Sequence, residues 1–169
     1  MGVSVQDGDL VIRGKTTPQG GITLPSASVG DAQVDSSNPI TAAKLQQQYH
    51  RVYEQGRGAS VASKTGEPIH VARGAGTVDS FDAGVTVAGV SWAGGGQAVV
   101  DLKKNGTSIL SATVTINGST AAFAIVSGTI STAAYVAGDV FEVVVTVTAG
   151  TGTIAQGLFV RAVFKEAAQ

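Results

Sequence analysis

Ala98-Val-Val-Asp-Leu-Lys-Lys104, then Asn105-Gly106, then Thr107-Ser-Ile-Leu-Ser-Ala-Thr-Val-Thr-Ile116 closed by Asn117-Gly118, is the stretch from which the fold is read. Ala98, Val100 and Leu102 alternate with Val99, Asp101 and Lys103, the period of a strand with one buried face. Asn-Gly supplies positive φ at both central turn positions, so a hairpin is expected at Asn105-Gly106. The return strand sets Leu110, Ala112, Val114 and Ile116 against Ile109, Ser111, Thr113 and Thr115. Asn117-Gly118 then turns the chain again, which predicts a three-strand meander with Ala121 to Val126 as its third member.

The same alternation continues downstream. Gly138-Asp139 opens what reads as the longest strand, with Phe141, Val143, Val145 and Val147 on one face and Glu142, Thr146 and Thr148 on the other. After the Gly150-Thr-Gly152 turn, Leu158, Val160, Ala162 and Phe164 are expected inward, and Arg161 and Lys165 outward. From Glu67 onward, strands separated by turn signals at close intervals predict an all-β, antiparallel β-sandwich or jelly roll. Burying such faces from five or six strands, at ~1.5 to 3 kcal/mol per large side chain, is ample for one domain.

Upstream the composition changes. Val3 to Arg13 alternates weakly and predicts a strand or hairpin near Asp7-Gly8, whereas residues 14–38 are polar and interrupted by Pro18, Gly20, Gly21 and Pro25. Such a stretch has too little apolar surface to fold alone and reads as an arm. Asn38-Pro39 reads as a helix start, an N-cap followed by Pro at the first helical position. Leu45, Tyr49, Val52 and Tyr53 then recur at helical spacing, giving one short helix with a single apolar stripe. The organisation expected is an arm and short helix over 1–55 for anchoring, a connection over 56–66 and a sandwich head over 67–169. Ile22, Leu24, Ile40, Leu45, Tyr49 and Tyr53 are the candidate partner-interface residues.

The whole chain narrows the function classes. Its 169 residues suffice for one domain and a tail, and the absence of cysteine removes disulfides and thiolate metal sites from consideration. A net charge of −1 with 14% charged residues gives no field to attract a polyanion, so nucleic acid is not an expected partner. No apolar run approaches the ~20 residues of a membrane helix, and the N-terminus has neither a secretory pattern nor, with Gln6, the Ser or Thr of a myristoylation signal. A soluble chain with no membrane partner is expected.

No constellation points to catalysis, and no cofactor or metal is expected. His50 and His70 lie in different elements without triad or ligand spacing, and both read as structural or surface residues. The glycine clusters at 74–76, 94–96 and 150–152 join no strand to a helix N-terminus and read as turns, not phosphate cradles. Lys64-Thr65-Gly66 lacks the Ser-x-x-Lys element that would make it part of a penicillin-binding signature. Asp79, Asp82, Asp101, Asp139 and Glu142 could supply a glycosidase pair, but wet-face and turn positions account for all of them. Trp92, the lone tryptophan, is either core packing beside a Gly-rich turn or a sugar-stacking ligand surface.

Val100-Asp-Leu-Lys-Lys-Asn-Gly-Thr-Ser-Ile-Leu110, Val136-Ala-Gly-Asp-Val-Phe-Glu-Val-Val-Val145 and Gly157-Leu-Phe-Val-Arg161 resemble the strand order of bacteriophage-encoded jelly-roll heads, themselves similar to the tumour-necrosis-factor type of trimeric jelly roll. Ile22-Thr-Leu-Pro25, Val29-Gly-Asp-Ala-Gln-Val34 and Ile40-Thr-Ala-Ala-Lys-Leu-Gln46 resemble the arm that introduces such heads in capsid-decoration and head-fibre proteins. The resemblance implies a homotrimer on the virion exterior, a cement or knob protein partnered with the major capsid protein and assembled in the host cytoplasm. It carries over no catalytic residue. Two alternatives stand beside it: a tail or baseplate fibre module binding host surface glycans, with Trp92 as its natural site, and a free carbohydrate-binding or hydrolytic β-sandwich.

Overall fold

The computed structural model describes residues 2–6, 9–13, 46–90, 92 and 94–167. The chain divides into two compact units, Met1–Ile40 and Thr41–Gln169. In the first, β1 (Gly2–Gln6) and β2 (Asp9–Arg13) pair antiparallel with Gln6 opposite Asp9, the hairpin that the Asp7-Gly8 turn signal implies.

The second unit is built of antiparallel strands: β3 (Gln46–Glu54), β4 (Lys64–Val71), β5 (Gly76–Val87), β6 (Gln97–Lys104), β7 (Thr107–Ser108), β8 (Leu110–Ala112), β9 (Val114–Asn117), β10 (Val126–Ser127), β11 (Thr129–Ile130), β12 (Ala134–Tyr135), β13 (Val140–Thr148) and β14 (Gln156–Ala167). One sheet runs β10-β5-β14-β3 with β12 also on β5, and the other β4-β13-β6-β7 with β9 also on β6. A continuous core of Phe81, Val100, Leu102, Phe141, Leu158, Phe164 and their neighbours fills the space between them.

The pairing is nested around the turn that the sequence singles out. Asn105 and Gly106 have φ of 51° and 82°, and Lys104 sits opposite Thr107. Outward from this tip, β6 pairs with β7 and β9, then β5 with β10 and β12, then β4 with β13, and lastly β3 with β14. One long hairpin is therefore folded over itself into two sheets. Asp139 fastens the tip: Val136 N–H donates to its Oδ2 at 2.9 Å and the Asn105 amide to its Oδ1 at 2.7 Å, which holds its carboxyl below the usual range.

The expected return strand is interrupted. Register passes from Lys103 opposite Ser108 to Val100 opposite Val114, so residues 109–113 bow out and β8 pairs with β11 instead. Ile109, Val114 and Ile116 are buried, whereas Leu110 is half-buried and Ala112 exposed, because the excursion inserts an odd number of residues and reverses the inward phase. The third meander strand expected over Ala121 to Val126 does not form. The chain crosses to the other sheet, where Val126 pairs with Ala83 of β5.

β13 has the predicted faces, with Phe141, Val143 and Val145 buried, but β5 and β14, at 12 residues each, are longer. Leu158, Val160, Ala162 and Phe164 all point into the core as the alternation requires, while Arg161 is exposed. A register shift between Val163 and Phe164 moves the inward set on β5 from Val78 to Phe81, Ala83 and Val85.

The helix expected to open at Asn38-Pro39 and carry Leu45, Tyr49, Val52 and Tyr53 is corrected to strand over its described part, which begins at Gln46. Gln46–Glu54 is β3, paired with β14 from Ala167 opposite Gln46 to Phe159 opposite Glu54. Tyr49 and Tyr53, four apart, share a side of a helix but also of a strand, since four is a multiple of two. The neighbours decide: Tyr49, Arg51 and Tyr53 are half-buried while His50, Val52 and Glu54 are exposed, a period of two. Residues 46–54 thus belong with the second unit, which takes in strand pairings that a boundary at 55 or 67 would cut.

Candidate functional site

The outer face of the first sheet carries the most interface-like surface of the described residues. The phase of β14 that points away from the core holds Phe159 and Arg161, flanked on β3 by Glu54 and Val52 and on β5 by Gly84 and Asp82. Gly84 has no side chain because the Phe159 ring lies across it: a Cβ there would collide with Phe159 Cζ and with the Ala124 carbonyl. Arg161 Nη2 donates to Asp82 Oδ2 at 2.8 Å, and Ser127 Oγ to Asp82 Oδ1 at 2.7 Å, which satisfies a carboxylate that is itself buried.

Three large apolar side chains stand in water on this face, Val52 (57% exposed) and Ile125 (59%) beside the pair and Phe123 (62%) in the cleft on the other side of Phe159. Two adjoining clefts of about 230 and 280 Å³ share Glu54 and Phe159; the first reaches Val52, Ile125 and Arg161, the second Phe123 and Arg57. Aromatic and aliphatic groups around an arginine that is already fixed by its own carboxylate, with charged residues at the margin, is the composition of a protein–protein contact.

Of the sequence-predicted interface residues, Ile22, Leu24, Ile40 and Leu45 lie outside the described residues. Tyr49 and Tyr53 are on β3 and pack against the chain's own core. Trp92 is 2% exposed and part of the core cluster, so its ring faces are not a stacking platform. It nevertheless lines a cleft of about 410 Å³ with Gly95, Gly96, Gln97, Asn117, Gly118 and Ser119, and its buried Nε1 has no hydrogen-bond partner among the described residues. A buried donor left unpaired costs ~1 to 3 kcal/mol.

At the opposite end of the sandwich the structure brings together His70 and Glu166. Their side chains are 3% and 2% exposed and His70 Nε2 lies 2.8 Å from Glu166 Oε1. Arg51 Nε donates to His70 Nδ1 at 3.3 Å, so Nδ1 is the acceptor and Nε2 carries the proton given to Glu166. The imidazole is boxed by Tyr49, Tyr135, Phe141 and Phe164, with ring centroids 4.3 to 6.4 Å away. Burial, and then the Glu166 charge, push the Tyr135 phenol well above its ordinary range.

Four of the five carboxylates weighed as a glycosidase pair are engaged separately, Asp79 with Lys165, Asp82 with Arg161, Asp101 with Ser108 and Asp139 with Asn105, and the fifth, Glu142, lies over Gly66, where a Cβ would fall 2.6 Å from its Oε2. Among the described residues no three His, Cys, Asp or Glu side chains gather as a metal site, and no helix is long and apolar enough to cross a membrane.

Two features escaped the sequence reading although each left a trace. Phe159 is an aromatic at an outward position of a strand whose inward set is Leu158, Val160, Ala162 and Phe164, and Glu166 continues that inward set by one more step of two. Compared with known proteins, the chain matches no family model, no characterised sequence and no solved structure.

Proposed function

We propose that the second unit is a jelly-roll head and that the chain is a virion structural protein of the capsid-decoration type, a homotrimer bound to the major capsid protein. The nested pairing supports the jelly roll, since strands matched pairwise around one tip and wrapped into two sheets are how a long hairpin forms that fold. The observation that carries the self-assembly reading is the exposed Val52, Phe123 and Ile125 cluster around Phe159 and the Asp82–Arg161 pair. Water-exposed aliphatic and aromatic groups of this size gain by burial against a second copy, at ~25 cal/mol per Å² of apolar surface removed from water.

Native mass spectrometry of the full chain tests the reading. Three copies of 16.9 kDa are the expected mass, and Val52→Glu with Ile125→Glu should release folded monomer, because each carboxylate would have to be desolvated in the contact. A wild-type chain that stays monomeric at high micromolar concentration, or a trimer indifferent to both substitutions, overturns this assignment of the interface.

A further inference from the structure

Residues 55–63, 88–90, 94–96, 118–125 and 149–155 gather at one end of the sandwich, as the pairings Thr148 with Gln97, Val87 with Gln156 and Gln97 with Asn117 require. The 410 Å³ cleft lies here, between the residues that lead into β6 and the turn that leaves β9, and its volume is in the range of small-molecule sites. Glycines let its walls pack closely. The indole lies directly on Gly96, where a Cβ would overlap it at Cδ1 and Nε1, and the Trp92 backbone lies on Gly118, where a Cβ would sit 2.8 Å from the Trp92 carbonyl oxygen. Positive φ at Gly94 (65°) and Gly95 (83°) folds the near wall, and Ser119 N–H to Asn117 Oδ1 at 2.9 Å shapes the far one.

Among the described residues the lining is chemically narrow: one indole edge, two carboxamides from Gln97 and Asn117, one hydroxyl from Ser119, three glycines and no charged side chain. An anion would find no cation there, and an apolar ligand would strand the amides. We propose that this cleft binds a neutral polyhydroxylated ligand, a saccharide, with the Gln97 and Asn117 carboxamides and the Ser119 hydroxyl reading its hydroxyls beside the edge of the Trp92 indole. The site needs no second copy of the chain and is independent of the assembly reading.

Trp92 is the only tryptophan, so its emission and its indole N–H resonance report this cleft alone. The full chain is titrated with glucose, galactose, mannose and N-acetylglucosamine and with oligosaccharides of each. The expected result is a saturable change in both signals with at least one of them. Gln97→Ala and Ser119→Ala should each weaken that sugar several-fold with the thermal midpoint unchanged. Signals unmoved by every sugar, or a response that survives in the double variant, overturn the site.

Discussion

A carboxylate with 2% of its side chain exposed, such as Glu166, must be answered by donors where it sits, and among the described residues His70 Nε2–H and the Arg73 backbone N–H donate to it. His70 stands on β4 of one sheet and Glu166 on β14 of the other, so this bond spans the core that the aromatic rings fill. His70→Ala leaves a buried charge short of a donor and opens a cavity beside Phe164, and we expect a loss of roughly 3 to 5 kcal/mol in denaturant unfolding. Replacing the pair together, His70→Leu with Glu166→Leu, removes the charge and its donor at once and should recover most of that loss. A single variant as stable as wild type would show that the pair contributes nothing, and a double variant no better than the single would show that its geometry is needed. In the sequence His70 was legible only as a structural or surface residue. Its partner lies 96 residues away in sequence, and no local pattern encodes a bond between sheets.

Among the elements, β3 separates what periodicity can decide from what it cannot. Strands β6, β13 and β14 were legible because each offers at least three successive inward apolar residues, and the Asn105-Gly106 turn because few dipeptides accept its φ values. In β3 the inward set is Tyr49, Arg51 and Tyr53, whose middle member is charged, and the remaining apolar residue, Val52, points outward. Only pairing with β14 selects the extended form, a tertiary effect that overrides local pattern. The bowed segment 109–113 is similar: its phase reversal is set by β11, which lies in a later part of the chain. The boundary has a consequence that can be measured. Removing residues 1–40 should leave a chain with a cooperative thermal transition, while removing residues 1–55 strips β3, exposes the edge of β14 and uncovers the core beside Tyr49 and Tyr53. We expect the longer deletion to aggregate or lose its sharp transition. Equal cooperativity in the two deletions would make β3 an accessory strand.

At the scale of the whole molecule, the direction of the strands gives the sandwich two unlike ends. β3 begins at Gln46 beside Ala167, at the end that holds the Asn105-Gly106 tip and the 72–75 connection. The cleft beside Trp92 and the 149–155 connection are at the other. If the leading residues anchor the chain to a capsid, the Gln46 end faces the shell and the Trp92 end faces solvent, where a saccharide could reach it. The chain has no cysteine of its own, so a single introduced thiol reports its position without ambiguity. Ala149→Cys and Ala137→Cys place one at each end, both at exposed positions of the sandwich. Biotinylated after assembly into particles, the Ala149→Cys variant should capture streptavidin readily while the Ala137→Cys variant reacts slowly; in the free chain the two should react alike. The opposite order on particles would turn the head over and place the Trp92 cleft against the shell, which removes any role for it in contact with a host surface.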